Sequence, residues 1–347
     1  DVPCIFKNGS ATLRLTLNTK GEISGFFITD NMAASNSMQL ENDIEVTFGS
    51  EEYPISGSLT LPDGDGPFPA MILVHGSGPS DRNEQIGPNL PFMDLAEQLS
   101  AQGIAVLRYD KRTYLYANQL AQQTDVTVQD ETIDDVVYAL EYLKTVNSVN
   151  AEQIYIAGHS LGGYLIPRIA AQTPDAAGYV LLAAAARPLE DLILEQTEYI
   201  LSLEKGLDDA SKEKLLKQTQ DMVTAIKALT PDDSYAAEQL GGTPASYWLD
   251  LQNYDPITEV QNSNKPFLVL QGGRDYQVTK TDYDLWQSSF DQYSDVHFRF
   301  YDNLNHLFMS GTGKSIPDEY QQKNTVDTVV GNDIASFVLD HAAIEKQ

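Results

Sequence analysis

The chain alternates between two hydrophobic patterns from about residue 44 onward. Short runs such as 70–74 and 104–107 contain no polar position, which is typical of strands buried on both faces. The segment 128–146 instead carries apolar residues at three-to-four spacing, which predicts an amphipathic helix. Further strands are predicted at 44–48, 55–61, 154–157, 179–182, 267–270 and 296–301, and further helices over 90–99, from Leu161, around 284–290 and over 326–342. This succession predicts an α/β fold with a mostly parallel central sheet, helices on both faces, and functional groups at the carboxyl ends of the strands.

Two segments depart from this alternation. Residues 11–17 alternate with period two and residues 23–28 return after a turn, so residues 1–40 are expected to form a small β-rich segment and a linker. The main domain is then expected over residues 41–347. Between about 187 and 255 no strand is predicted, and helical stretches occur instead at 189–203 and 212–229. An insertion of roughly 70 residues with its own helices predicts a functional cap.

Composition narrows the class of protein. The 347 residues are 42% hydrophobic, which is enough for a large core, and a single cysteine, Cys4, excludes a disulfide scaffold. The formal net charge of −28 disfavours nucleic acid and anionic membranes as partners, and the absence of a long apolar run predicts no membrane span. The chain opens at Asp1 without an initiator methionine or a basic leader, which favours an exported bacterial protein whose signal has been removed. Composition leaves the oligomeric state open.

A serine between a predicted strand and a predicted helix is the first candidate for chemistry. Residues 158–162 read Gly-His-Ser-Leu-Gly, with glycines on both sides of Ser160. A sharp strand-to-helix turn lifts such a hydroxyl clear of the sheet, and flanking glycines make room for the turn. Ser160 is therefore predicted to be a nucleophile.

A serine nucleophile needs a base, and the chain contains five histidines. His306 lies in the loop after the last predicted strand, where a base is expected. His75 is expected to shape a glycine loop, and the side chain of His159 is expected to point away from its neighbour Ser160. His297 lies within an alternating strand, and His341 lies in the last helix. His306 is therefore the predicted base.

The base in turn needs a carboxylate to orient its ring. Asp275 follows the strand 267–270 in a glycine-rich turn and is the favoured candidate. Asp302 lies only four residues before His306, and Asp110 lies beside Lys111 and Arg112, where an ion-pair partner is expected. Both remain alternatives to Asp275.

Backbone amides are expected to stabilise the negative charge that develops on a carbonyl oxygen under attack. The N–H of Leu161, directly after the nucleophile, is one candidate. The other is the N–H of Ser77 in the His-Gly-Ser-Gly loop 75–78, after the first buried strand. Together Ser77 and Leu161 are predicted to form an oxyanion hole.

These motifs resemble those of the α/β-hydrolase superfamily over residues 44–345, in which the triad order is serine, acid, histidine. The segments 75–84 and 107–112 are more narrowly similar to bacterial esterases of the dienelactone-hydrolase-like and peptidase-like kind. The resemblance implies ester hydrolysis through an acyl-enzyme, without a metal or other cofactor, with Ser160, Asp275 and His306 as the triad. Relatives of this kind often carry a small β-rich domain, which residues 1–35 resemble in truncated form. Dienelactone hydrolases proper use cysteine as the nucleophile, so the resemblance does not imply that this chain shares their substrate.

Three functions follow as hypotheses. The favoured one is a carboxylesterase acting on a small-molecule ester, and the alternative is a serine peptidase or amidase of the same fold. A non-catalytic binding module is disfavoured because every triad member is present. In the cap, Tyr247, Trp248 and Tyr254 are expected to line an acyl pocket.

Overall fold

The computed structural model describes residues 2–6, 9–17, 23–30, 38–261, 263–290 and 293–344. Contacts divide the chain into two units, Asp1–Glu41 and Asn42–Gln347. The smaller unit contains three strands, β1 (Val2–Phe6), β2 (Gly9–Leu17) and β3 (Ile23–Asp30). They form an antiparallel sheet in the order β1-β2-β3. The sequence pattern predicts β2 and β3 but not β1.

The larger unit is built on an eight-stranded sheet in the order β11-β10-β9-β8-β6-β7-β5-β4. Within this sheet β5 pairs antiparallel with both of its neighbours, and the remaining pairs are parallel. The strands are β4 (Asp43–Gly49), β5 (Pro54–Thr60), β6 (Phe68–Val74), β7 (Ala105–Tyr109), β8 (Val149–His159), β9 (Gly178–Leu182), β10 (Phe267–Gly272) and β11 (Val296–Tyr301). The predicted mostly parallel α/β sheet is confirmed.

Helices connect the strands. They are α1 (Pro91–Ser100), α2 (Arg112–Leu115), α3 (Ala117–Leu120), α4 (Asp134–Lys144), α5 (Leu161–Tyr164), α6 (Ile166–Gln172), α7 (Leu189–Leu203), α8 (Asp209–Ala228), α9 (Ala245–Gln252), α10 (Pro256–Val260), α11 (Lys280–Ser289) and α12 (Thr328–Ile344). Two short 3-10 segments lie at Ala237–Leu240 and Pro317–Gln321, and a π-helical turn, Gln129–Ile133, precedes α4. The single helix predicted over 128–146 is therefore a π turn followed by an α-helix.

The core explains why the central strands lack polar positions. Met71 and Ile72 are adjacent on β6, point to opposite faces, and are both fully buried. On one face Ile72 and Ile156 pack with apolar residues of α4. On the other, the Tyr155 ring packs edge-on against Phe337 of α12. Burial on both faces accounts for the continuous apolar runs.

The segment between β9 and α10 forms the predicted insertion. All of residues 187–255 are described, and they form α7, α8, a 3-10 segment and α9 without a strand. Helices α7 and α8 pack against each other. Across the described residues, no helix combines the length and apolar character needed to cross a membrane.

Candidate active site

Ser160 lies at the turn between β8 and α5, as the sequence predicts. Its backbone φ is +52°, in the left-handed region that a residue with a Cβ adopts only under strain. The glycines make this turn possible, because a Cβ on Gly162 would lie 2.5 Å from the Val74 carbonyl oxygen. The predicted helix after Ser160 is interrupted at Leu165, so that α5 has only four residues.

His306 and Asp275 are hydrogen-bonded to each other, and both side chains are buried. Nδ1 of His306 lies 2.7 Å from Oδ2 of Asp275. The other carboxylate oxygen, Oδ1, accepts the backbone N–H groups of Gln277 at 2.7 Å and Val278 at 3.1 Å. These bonds fix the Asp275 carboxylate so that it orients the His306 ring.

The two alternative carboxylates are placed elsewhere. Asp302 is exposed. Asp110 is an ion-pair partner, as expected, but it pairs with Arg82 at 2.8 Å, while Lys111 pairs with Glu131 and Arg112 pairs with Asp135. Asp275 is therefore the carboxylate that the fold brings to His306.

Hydrogen bonds hold the loop 76–78 in place close to Ser160. Lys111 Nζ donates to the carbonyl oxygens of Gly76 at 2.8 Å and Gly78 at 3.1 Å. In a trans peptide the N–H points opposite to the C=O, so the Ser77 N–H points away from Lys111. Leu161 is the first residue of α5, so its N–H has no acceptor within that helix. Ser77 and Leu161 line the same cavity as Ser160.

A second buried pair, Glu84 and His159, lies behind the serine. The closest oxygen of Glu84 is 2.9 Å from Nδ1 of His159, and Glu84 Oε1 accepts the Gly76 N–H at 2.6 Å. Nε2 of His159 lies 3.0 Å from the His306 carbonyl oxygen, and the two imidazole rings are 4.7 Å apart. Both ring nitrogens of His159 thus face oxygen acceptors. The pair joins the loop 76–78, the serine turn and the histidine loop.

The charges of these buried groups follow from their neighbours. Burial opposes ionisation of Glu84, but His159, His75 and the Gly76 N–H together outweigh it and hold the pKa of Glu84 below its ordinary value. Burial likewise opposes the His159 imidazolium, but Glu84, the His306 carbonyl and Asp275 together outweigh it and raise the pKa of His159. For His75, burial outweighs the opposing effects of Glu84 and of the Asp81 carbonyl, so its pKa falls to about 4 and the ring is neutral. The sequence does not predict the Glu84–His159 pair, although Glu84 lies in the motif 75–84.

A cavity of about 570 Å³ opens beside Ser160, and the insertion forms much of its wall. Its lining is mainly apolar, and includes Pro79, Val126, Leu161, Ala185, Leu189, Leu192, Ile193, Met222, Pro244, Tyr247, Trp248 and Val278. Polar groups at its wall include Thr113, Glu131, Gln196 and Gln277. Glu131 bonds Lys111 Nζ at 2.5 Å and the Tyr247 hydroxyl at 2.6 Å. A larger surface depression of about 780 Å³ lies beside Lys265 and Tyr293, away from Ser160.

The three predicted pocket aromatics have different surroundings. Tyr247 and Trp248 line the cavity, and the Trp248 indole N–H also donates to the Leu240 carbonyl at 3.0 Å. Tyr254 is not among the described residues that line it, which corrects its predicted place in the pocket. Its hydroxyl bonds the Tyr164 carbonyl at 2.5 Å, because α9 ends at Gln252 and the chain then turns back onto α5.

Comparison with known proteins identifies the family of this chain. A family described as "serine aminopeptidase, S33" matches residues 70–312. The chain is 36% identical to Esterase EstD of Thermotoga maritima over 338 residues, which cover 96% of this chain and 78% of that protein.

Solved structures show the same fold. Est1E from Butyrivibrio proteoclasticus matches with a TM-score of 0.55 and 20% identity, covering 86% of this chain and 99% of that one. The Pyrococcus furiosus esterase Pf2001 matches with a TM-score of 0.53 and 15% identity, covering 86% and 90%. These findings confirm the α/β-hydrolase fold, and the chain belongs to the serine aminopeptidase S33 family of α/β-hydrolases.

Proposed function

We propose that this chain is a serine carboxylesterase that cleaves small-molecule esters through an acyl-enzyme. The observation that carries the proposal is the buried 2.7 Å hydrogen bond between Asp275 and His306, whose carbonyl oxygen lies 3.0 Å from Nε2 of His159, the residue before the strained Ser160. The 36% identity to a protein named as an esterase supports ester hydrolysis as the reaction. The proposed roles are Ser160 as nucleophile, His306 as base and Asp275 as the orienting acid.

Acylation uses these groups in turn. Ser160 Oγ attacks the ester carbonyl carbon while Nε2 of His306 accepts the hydroxyl proton. The carbonyl oxygen becomes negative and accepts the N–H groups of Ser77 and Leu161. The carbon–oxygen bond to the alcohol then breaks, and His306 returns the proton to the leaving alkoxide.

Deacylation repeats the sequence with water. His306 removes a proton from a water molecule that attacks the acyl-serine carbonyl. The same two amides stabilise the second oxyanion, and collapse releases the carboxylic acid with Ser160 reprotonated by His306. No step needs a group beyond these residues, water and the ester.

The cavity wall favours an uncharged, apolar acyl group. Among the described residues that line the cavity there is no lysine or arginine, so an acyl group with a terminal carboxylate would be buried without a counter-ion. The apolar side chains of α7 and α9 instead offer contact to alkyl or aryl carbons. Esters with neutral acyl groups are therefore the proposed substrate class.

Aminopeptidase activity is the alternative within the same mechanism, and it needs a group that binds a substrate ammonium. Glu131 is the one acidic side chain among the described lining residues. It is already paired with Lys111 Nζ and bonded to the Tyr247 hydroxyl. With this carboxylate already neutralised, the site favours esters over peptides with a free amino terminus.

A substrate panel tests the proposal. We expect p-nitrophenyl acetate and butyrate to turn over with kcat/KM well above that for aminoacyl p-nitroanilides. An acyl p-nitrophenyl ester ending in a carboxylate should be a poorer substrate than its neutral counterpart of equal length. Faster cleavage of the anilides would overturn the ester proposal in favour of an aminopeptidase.

A further inference from the structure

A cluster of metal-ligating side chains lies apart from the proposed active site. Asp295, His297 and His341 each offer one ligand atom, and the three atoms lie within 4.8 Å of one another. Asp295 and His297 stand at the amino end of β11, and His341 lies near the end of α12. Asp275 and His306 follow the carboxyl ends of β10 and β11, so the cluster lies at the opposite end of these strands.

The orientation of His341 presents one ring nitrogen to the cluster. Its Nδ1 lies 2.6 Å from the Phe337 carbonyl oxygen, one helical turn earlier. An Nδ1–H bonded to a backbone carbonyl fixes the tautomer whose Nε2 has a free lone pair, which is how zinc-binding histidines are commonly held. That Nε2 lies 3.0 Å from Asp295 Oδ1. Either a proton on Nε2 or a metal ion bound by both atoms accounts for this close approach.

Two of the three spacings between the ligand atoms are close to those around a small tetrahedral ion, and all three atoms lie within 4.8 Å of one another. Asp295 Oδ1 lies 3.0 Å from the His341 nitrogen and 3.4 Å from Nε2 of His297. An ion with ligands at about 2.0–2.1 Å in tetrahedral geometry separates them by roughly 3.3–3.4 Å. His297 and Asp295 are about half exposed, so an ion can enter and their side chains can adjust.

We propose that Asp295, His297 and His341 form a site for a late first-row divalent cation, with Zn²⁺ as the favoured ion. Two imidazoles and one carboxylate suit Zn²⁺ better than Mg²⁺ or Ca²⁺, which prefer all-oxygen ligands. Water completes the fourth position. The formal net charge of −28 concentrates divalent cations around the molecule.

The proposed site would join α12 to the edge strand β11. His341 belongs to the helix, and the other two ligands belong to the strand and the residue before it. An ion shared between them stabilises the folded chain, because it binds the native arrangement and not the separated ligands. The site does not depend on the proposed ester chemistry.

Zinc binding to the full chain, prepared without a polyhistidine tag, tests this proposal. Calorimetric titration with ZnCl₂ should give one ion per chain, and Co²⁺ should give the intense visible absorption of a tetrahedral site. We expect His297→Ala and His341→Ala each to weaken binding by at least about tenfold, and the double variant to lose it. Zinc should raise the melting temperature of the wild type but not of the double variant.

Asp333→Asn is the matched control. Asp333 lies on α12 and bonds Arg299 and Tyr301 of β11, so it joins the same two elements without belonging to the cluster. This variant should bind zinc as the wild type does, and ester turnover should be unchanged in all of these variants. The proposal is overturned if zinc does not saturate a site in the wild type, if the double variant still binds it, or if Asp333→Asn weakens binding as much as the histidine variants.

Discussion

At the residue scale, the two oxygens of the Asp275 carboxylate accept different hydrogen bonds. One oxygen accepts two backbone N–H groups, and the other accepts His306 and the Gln271 amide at 3.2 Å. The backbone bonds fix the carboxylate, so the ring of His306 is held by a group that cannot rotate freely. This arrangement predicts a sharp difference between Asp275 and its rival in the same region, Asp302.

Asp275→Asn should lower kcat by about 10⁴-fold, because an amide no longer stabilises the imidazolium and permits the wrong tautomer. Asp302→Asn should leave kcat within a few fold of wild type, since that side chain is exposed. Steady-state kinetics on p-nitrophenyl butyrate would measure both. If Asp302→Asn proved the more damaging change, the acid would have to be reassigned.

The Glu84–His159 pair predicts a pH-dependent contribution to stability. Folding lowers the pKa of the Glu84 carboxyl, so this group stabilises the folded state at pH values above its pKa in the unfolded chain. Folding raises the pKa of the His159 imidazole, so this group stabilises the folded state at pH values below its pKa in the unfolded chain. The contribution is therefore greatest between about pH 4.3 and 6.5, and it declines as the pH rises through the raised pKa of His159.

Glu84→Gln should thus lower the melting temperature most near about pH 5–6, with a smaller difference in alkaline buffer. It should also lower kcat by about 10- to 100-fold, because the loop that carries the Ser77 amide loses its charged anchor. Asp81→Asn is the control, since this carboxylate of the same loop accepts the backbone N–H groups of Asn83 and Gln85. A melting difference that does not vary with pH would show that the pair is not ionised.

The sequence could predict some of these residues and not others. Ser160, Asp275 and His306 each follow a strand with a recognisable pattern. Because the carboxyl ends of parallel strands lie at the same end of a sheet, the sequence alone predicts that these three residues lie together. The Glu84–His159 pair depends on the path of the loop, in which Glu84 adopts a φ of +50°. No periodic pattern encodes that path.

At the scale of elements, the predicted bounds agree best with the structure where the hydrophobic pattern is strongly periodic. Helix α7 occupies 189–203 and β11 occupies 296–301, as predicted, because both have clear patterns and sharp ends. The π turn before α4 was missed, since a π turn shares the apolar spacing of the helix that it precedes. The placement of Tyr254 was wrong because the pattern does not show that the chain turns back after α9.

Helix α9 gives Trp248 two roles, since it lines the cavity and bonds the Leu240 carbonyl. Trp248→Ala should cost about 3–5 kcal/mol of unfolding free energy and also shift the preference toward longer or bulkier acyl groups. Trp248→Phe keeps most of the ring and loses the hydrogen bond, so it should cost less and shift the preference less.

Melting curves and a series of p-nitrophenyl esters of increasing chain length measure the two effects separately. A large loss of stability with an unchanged ester ranking would leave Trp248 as a packing residue. An altered ranking with an unchanged melting temperature would contradict its part in holding the 3-10 segment to α9.

At the scale of the whole molecule, 50 acidic residues against 22 basic ones make self-repulsion the dominant long-range force. Screening by salt should relieve it more in the compact folded state than in the expanded unfolded chain. We therefore expect the melting temperature to rise when NaCl is increased from about 10 mM to 0.5 M. A melting temperature that falls over this range would mean that attractive ion pairs, such as Arg82 with Asp110, outweigh the net repulsion.

The central claim, that Ser160 is the nucleophile of an esterase, is tested most directly by a fluorophosphonate label. Mass spectrometry of the labelled, digested protein should find one adduct per chain, on the peptide that contains Ser160. Ser160→Ala should take up no label and lose ester turnover by about 10⁴- to 10⁶-fold, with an unchanged melting temperature. A label on another residue, or ester turnover by Ser160→Ala within tenfold of the wild type, would contradict the account.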